Sequence, residues 1–191
     1  VIGIAKQAGT VVDNNNGTFT VPFTLNIRNY GNVDAHDVQI LENLTTEFGT
    51  YETTTAAVNA AGEYTISTAP AFTSNVSNAL TLATNFNGSA NQNMLDVTAG
   101  GHIRPGQTAT LTFSITFFPN FTNATLSGNS ATFTNQVTAQ ADNPNNDDNV
   151  TNSNTTDTSD SGINPDTDGQ NDPNEAGEID PRAARVVVDP D

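Results

Sequence analysis

The chain has 191 residues and a formal net charge of −16, with five basic residues against 21 acidic ones. That balance argues against a nucleic-acid partner and an anionic lipid surface, both of which are gripped through clustered Lys and Arg. The absence of cysteine excludes disulfides, thiolate chemistry and cysteine-ligated zinc or iron–sulfur centres. Charged residues are only 14% of the chain, against roughly 25% in an ordinary cytoplasmic protein, so a secreted, extracellular or cell-surface location is expected. No run approaches the roughly 20 apolar residues that span a bilayer, so no membrane insertion is expected. The start "VIGIAKQ" lacks a basic-then-apolar leader and reads as that of a mature chain. At this length a single elaborated domain over residues 1–191 is expected.

The predicted elements are short runs of period two. Val1 to Ala5 opens the chain as a strand. Gly17 to Gly31 follows, with Phe19, Val21, Phe23, Leu25 and Ile27 on one face. Pro22 falls in the opposite set, which predicts an edge strand or a bulge at that point. "AHDVQILENL" alternates Val38, Ile40 and Glu42. Over residues 45–100 the alternation weakens into a long middle region rich in Thr, Ala and Gly. Within it, "NFNGSANQNMLD" (Asn85 to Asp96) has a turn-rich opening and then apolar Met94 and Leu95, with a structural loop and a ligand loop as the two readings. "GQTATLTFSITFFPN" restores the pattern with Ala109, Leu111, Phe113, Ile115 and Phe117, and "ATFTNQVTAQA" repeats it through Phe133 and Val137. "ARVVVDP" closes the chain as a C-terminal strand within residues 183–189. Seven or more such strands, punctuated by "NG", "GN" and "PG" turns and with no helical period, predict an all-β, antiparallel β-sandwich.

"DNNNGTFTVPFTLNIRNYGNVDAHDVQILENL" resembles the opening of the DUF11-type conserved repeats of secreted bacterial and archaeal surface proteins. "AGGHIRPGQTATLTFSITFFP" and "ATFTNQVTAQADNP" resemble later strands of the same repeats. The Asp-rich "DTSDSGINPDTDGQNDPNEAGEIDP" resembles the segments that close many of them. The resemblance implies an immunoglobulin-like sandwich found in adhesins and surface-layer-like assemblies, with no catalytic activity. The long middle region departs from the shortest repeats.

The acidic segment, residues 142–180, invites a chemical reading. With Asn164 as position one, the calcium-loop template asks for oxygen ligands at one, three, five and nine, Gly at six and a carboxylate at twelve. Asn164, Asp166, Asp168, Gly169, Asp172 and Glu175 meet it, and Gln170 offers its backbone carbonyl at seven. Pro165 and Pro173 interrupt, so the flanking helices of an EF-hand are missing. Residues 141–180 hold eleven acids and no Lys or Arg, and such a segment repels itself into a solvated, disordered tail unless cations neutralise it. Hard oxygen donors without His or Cys suit calcium. More than one ion is expected, with Asp157, Asp160 and Asp180, together with Asp147 and Asp148, left to build a second site.

His36 and His102 are the only histidines, far apart and in no metal-ligand spacing, so both are expected as turn or surface residues. Neither sits in a Ser–His–Asp pattern, and no Trp exists to hold a sugar for a carboxylate pair, so no enzymatic activity is expected. Asn-x-Ser/Thr sequons occur at Asn16, Asn43, Asn75, Asn87, Asn120, Asn123, Asn149 and Asn154 and make glycosylation an option set by the host. The expected role is an extracellular structural subunit stiffened by calcium. It joins copies of itself head to tail as a filament homopolymer, or neighbouring surface modules, and Val1 to Ala5 serves as a donor strand on the next subunit's sheet edge. The alternative is an adhesin module that recognises a glycan or protein through its middle region. Loops of Thr, Ala, Asn and Ser, without aromatic or charged pockets, favour the structural role.

Overall fold

The computed structural model describes residues 1–75, 80–127, 130–143, 155–173 and 185–188. In chain order the strands are β1 (Ile2–Ala8), β2 (Val12–Asp13), β3 (Phe19–Asn29), β4 (His36–Glu42), β5 (Thr50–Tyr51), β6 (Glu63–Asn75), β7 (Thr108–Phe118), β8 (Thr125–Ser127), β9 (Ser130–Thr134), β10 (Val137–Asp142), β11 (Thr155–Thr158), β12 (Asp160–Ser161) and β13 (Arg185–Val188). A seven-stranded sheet runs β12-β1-β3-β7-β6-β5 with β2 paired to β3, and two three-stranded sheets run β11-β10-β4 and β13-β9-β8. Among the described residues the α-helix amounts to one turn, α1 (Thr45–Phe48), and no helix is long and apolar enough to cross a membrane. The chain is all-β, as the alternating runs predict.

The two strongest alternations, β3 and β7, lie side by side at the centre of the large sheet. Their register sets Phe19 against Phe117, Val21 against Ile115, Phe23 against Phe113, Leu25 against Leu111 and Ile27 against Ala109. Cross-strand partners share a face, so every pair is apolar and every pair is buried. Aromatic contacts carry this layer into the smaller sheets. Phe117 meets Phe133 of β9 with ring centroids 5.5 Å apart and Phe48 of α1 at 4.9 Å. Val38 and Ile40 of β4 and Val137, Ala139 and Ala141 of β10 fill the same core. The single turn of α1 ends at Gly49, whose φ of +93° favours glycine; a Cβ there would lie 2.0 Å from the Gly62 carbonyl oxygen.

Three expectations change. β3 is central rather than an edge, and its ladder with β7 runs through Pro22 opposite Ser114 without a shift. The Pro22 carbonyl accepts from Gly9 N–H at 2.8 Å, and a residue's N and O point to the same side of a strand. The missing N–H therefore faces Gly9, just past the end of β1, and no bond of the β3–β7 ladder is lost. The middle region holds a long strand, β6, paired with β7 through register shifts between Ile66 and Thr68, Thr68 and Ala71, and Phe72 and Ser74. The sheet is mixed rather than purely antiparallel, since β1 pairs β12 and β5 pairs β6 in parallel.

A polar cluster interrupts the core at Lys6. Lys6 on β1 is fully buried, donates to Glu42 of β4 and to the Asn135 side-chain oxygen between β9 and β10, and sits 4.4 Å from the Phe23 ring centroid. Burial pulls the Lys6 ammonium below its ordinary value and pushes Glu42 up, each opposed by the other's charge. Lys6→Met strands Glu42 without a counter-ion and should cost about 3–5 kcal/mol in urea unfolding, whereas the double change Lys6→Met, Glu42→Leu should recover most of that loss. A double-mutant cycle with near-zero coupling would contradict the pairing.

Candidate functional site

The acidic segment is built onto the outer edge of β1. β3 pairs one edge of β1 along its length, from Ile2 opposite Asn29 to Ala8 opposite Phe23. Oxygens of the acidic segment satisfy the other edge. Thr155 Oγ1 accepts from Ile2 N–H at 3.3 Å and Asp157 Oδ2 from Ile4 N–H at 2.7 Å. β12 then pairs in parallel, with Ala5 opposite Asp160, and Gly162 N–H donates to the Lys6 carbonyl at 3.1 Å. Beyond β12 the chain is tied back to β3, where Asn26 Nδ2 donates to the Ile163 carbonyl at 2.6 Å. Pro173 closes over Gly3, where a Cβ would lie 2.8 Å from both the proline ring and the Tyr30 ring. A side chain at position 3 would lift this cover.

The structure describes the calcium-loop template from Asn164 to Asp172; Glu175 and Asp180, like Asp147 and Asp148, lie outside the described residues. Gly169 has φ of +81°, consistent with a tight turn at position six. Asp166 is buried, and its two carboxylate oxygens accept from Gly169 N–H at 2.9 Å and Asn171 N–H at 3.0 Å. Asn164 accepts from Asp166 N–H at 3.3 Å, and Asp168 accepts from the Gln170 backbone N–H at 3.0 Å. Asp168, Gln170 and Asp172 are exposed. Gly169 thus turns the chain at position six, while Asp166, Asp168 and Asp172 are not gathered around one point. Asp157 and Asp160 are fully buried, on β11 and β12.

Asp157, Asp160 and Asp166 all act on Tyr30. Burial first, and then the negative charge of Asp166, Asp157 and Asp160, push its phenol up to about 12 against the opposing Arg28 guanidinium, which lies 4.9 Å from the ring centroid.

Among the described residues, three metal-ligating side chains converge at one place, and it is not in the acidic segment. Ligand atoms of Asp34, His36 and His102 all lie within 4.8 Å of one another. The backbones of Ala35 and Ile103 exchange two hydrogen bonds of 2.9 Å, and both side chains point into the core. Alternation turns the flanking Asp34, His36 and His102 to the opposite face. The two imidazoles stack with centroids 4.9 Å apart, and His102 Nε2 approaches Asp34 Oδ2 to 3.3 Å. Sequence spacing missed this because the partners come from distant segments; the available signal was the period-two pair Asp34 and His36 at the head of a strand.

Compared with protein-family models and with curated proteins, the chain matches none. The geometry around Tyr30 yields a measurable outcome. In chelator, its phenolate absorbance should appear near pH 12, about two units above a free tyrosine. A raised folded value means that the stabilising contribution is whole below pH 10 and is lost as pH rises through about 12. Asp157→Asn should lower the Tyr30 midpoint without bringing it to 10, because burial is the larger cause; an unchanged midpoint would remove Asp157 from the account.

Proposed function

We propose that the chain is an extracellular structural module, an immunoglobulin-like sandwich of DUF11 type, stiffened by calcium in its acidic segment and joined head to tail to copies of itself or to neighbouring surface modules. The observation that carries this reading is the placement of the acidic segment along β1. An ion held by Asp166, Asp168 and Asp172, with Asn164, the Gln170 carbonyl and Glu175, would stiffen the cover over the N-terminal strand. It would also offset part of the −16 charge. Extracellular calcium modules work with dissociation constants of about 10⁻⁴–10⁻³ M, so a loop whose carboxylates gather only around the ion is adequate.

β1 fills its own seat between β3 and β12. This arrangement supports a closed module linked through its ends. Strand donation would require the same pairs to form between neighbouring chains, an exchange of identical elements. The adhesin alternative could use a groove of about 520 Å³ lined by Asn85, Asn91, Gln92, Asn93 and Asp96. Two of these side chains already brace the loop: Asn93 accepts from Ile40 and Leu95 N–H, and Asp96 accepts from Thr98 N–H. Phe86, Met94 and Leu95 anchor the same loop in the core, which favours a structural role for it.

Calcium should raise the melting temperature and chelator should lower it, because an ion bound only by the folded chain stabilises it by RT ln(1 + [L]/Kd). Asp168→Ala should abolish the calcium-induced rise, while Asp189→Ala, outside the template, should not. Asp166→Ala should lower the melt even in chelator, since it also removes the acceptor for two backbone N–H groups. A melt indifferent to chelator would overturn the calcium assignment. For assembly, a chain lacking residues 1–7 should regain stability on addition of a peptide with the sequence of residues 1–8. Long assemblies by the full-length chain in negative-stain images, absent from the truncated chain, would establish donation; a full-length monomer at high concentration with calcium would leave the closed module.

A further inference from the structure

The cluster at the start of β4 has a different ligand chemistry from the acidic segment. We propose that Asp34, His36 and His102 form a three-ligand site for a divalent transition ion of the zinc type, with water completing its shell. Two imidazoles and a carboxylate are a donor set for zinc, copper or nickel rather than for calcium, which takes oxygen. Ligands about 2.1 Å from a tetrahedral ion stand about 3.4 Å apart. The 3.3 Å between His102 Nε2 and Asp34 Oδ2 is already that edge, and the third ligand atom lies within 4.8 Å of both. Small side-chain rotations close the rest.

Backbone pairing holds the ligands before any ion arrives. Asp34 and His36 flank Ala35, and His102 precedes Ile103 across a reciprocal pair of hydrogen bonds. The β4–β10 ladder sets buried Asp142 opposite His36. Access exists. The Asp34 side chain is 35% exposed and that of His102 13%, and Asp34 borders a cavity of about 220 Å³ shared with Val1, Asp142 and Asn143. An ion there would fasten the segment before β7 to the head of β4. This role is separate from calcium and from the donor-strand question.

The test uses the full-length chain with calcium in excess, so that oxygen sites are occupied. Zinc titration by calorimetry should show one equivalent bound, and cobalt should give the d–d spectrum of an inner-shell imidazole complex. His36→Gln and His102→Gln should each weaken zinc about tenfold or more. Because these are the only histidines, zinc-induced shifts of imidazole nitrogen resonances report directly on both. Asp34→Asn, at a partly exposed position, provides a variant that keeps the fold should a histidine change disturb it, as judged by circular dichroism. Asp168→Ala should leave zinc uptake unchanged. No stoichiometric uptake in excess calcium, uptake that survives the double histidine substitution, or a spectrum of fully hydrated cobalt would overturn the site.

Discussion

The Lys6–Glu42 pair, with Asn135 as its third member, is the constraint around which the three sheets are arranged. Lys6 belongs to the large sheet, Glu42 to the sheet of β4, and Asn135 to the link between β9 and β10. An ion pair in contact gains about 4 kcal/mol at an effective dielectric near 20. Desolvation costs several kcal/mol for each ion, so the pair does not out-stabilise an apolar filling of the same space. Its value lies in selection. A strand of small and branched apolar residues could slide along β3 by two positions and keep its faces, but a buried ammonium has one place where a carboxylate, an amide oxygen and an aromatic face meet it. The only lysine in the chain thus sets the register of the first strand.

Much of this architecture was legible because burial is one-sided. Phe19 to Ile27 and Ala109 to Phe117 alternate without interruption, and they form the ladder on which everything else packs. Glu42 was legible too, as the polar member of an inward set. β6 was not, since its register shifts break the period that reveals a strand. Pro22 misled for a physical reason: its cost depends on which side of the strand the absent N–H faces, and sequence does not contain that side. Two-residue parallel pairs such as β5 with β6 leave no periodic trace at all.

The candidate sites divide in the same way. At the loop from Asn164 to Asp172 only the turn is local enough to compare with the sequence, and Gly169 takes it with a positive φ. What sequence could not show is that Asp157 and Asp166 already serve the backbone, one capping the edge of β1 and the other closing its own loop. Asp34, His36 and His102 were unreadable as a group because their meeting depends on pairing between Ala35 and Ile103. The abundance of Asn and Thr has a local explanation. Asn16 with Thr18, Asn43 with Thr45 and Asn120 with Thr122 each form a turn in which the side-chain carbonyl accepts from a backbone N–H and a hydroxyl two residues on.

The way β1 is held also determines how the molecule bears tension. Load entering at Val1 along the strand axis falls on seven residue pairs with β3 at once, together with the β12 contacts on the other edge. Such a strand shears rather than unzips, because no single pair can open before the rest. Moving it also drags the Lys6 ammonium away from its carboxylate and across the Phe23 ring. A chain gripped by its first residues therefore meets a strand loaded in shear at the point where force arrives.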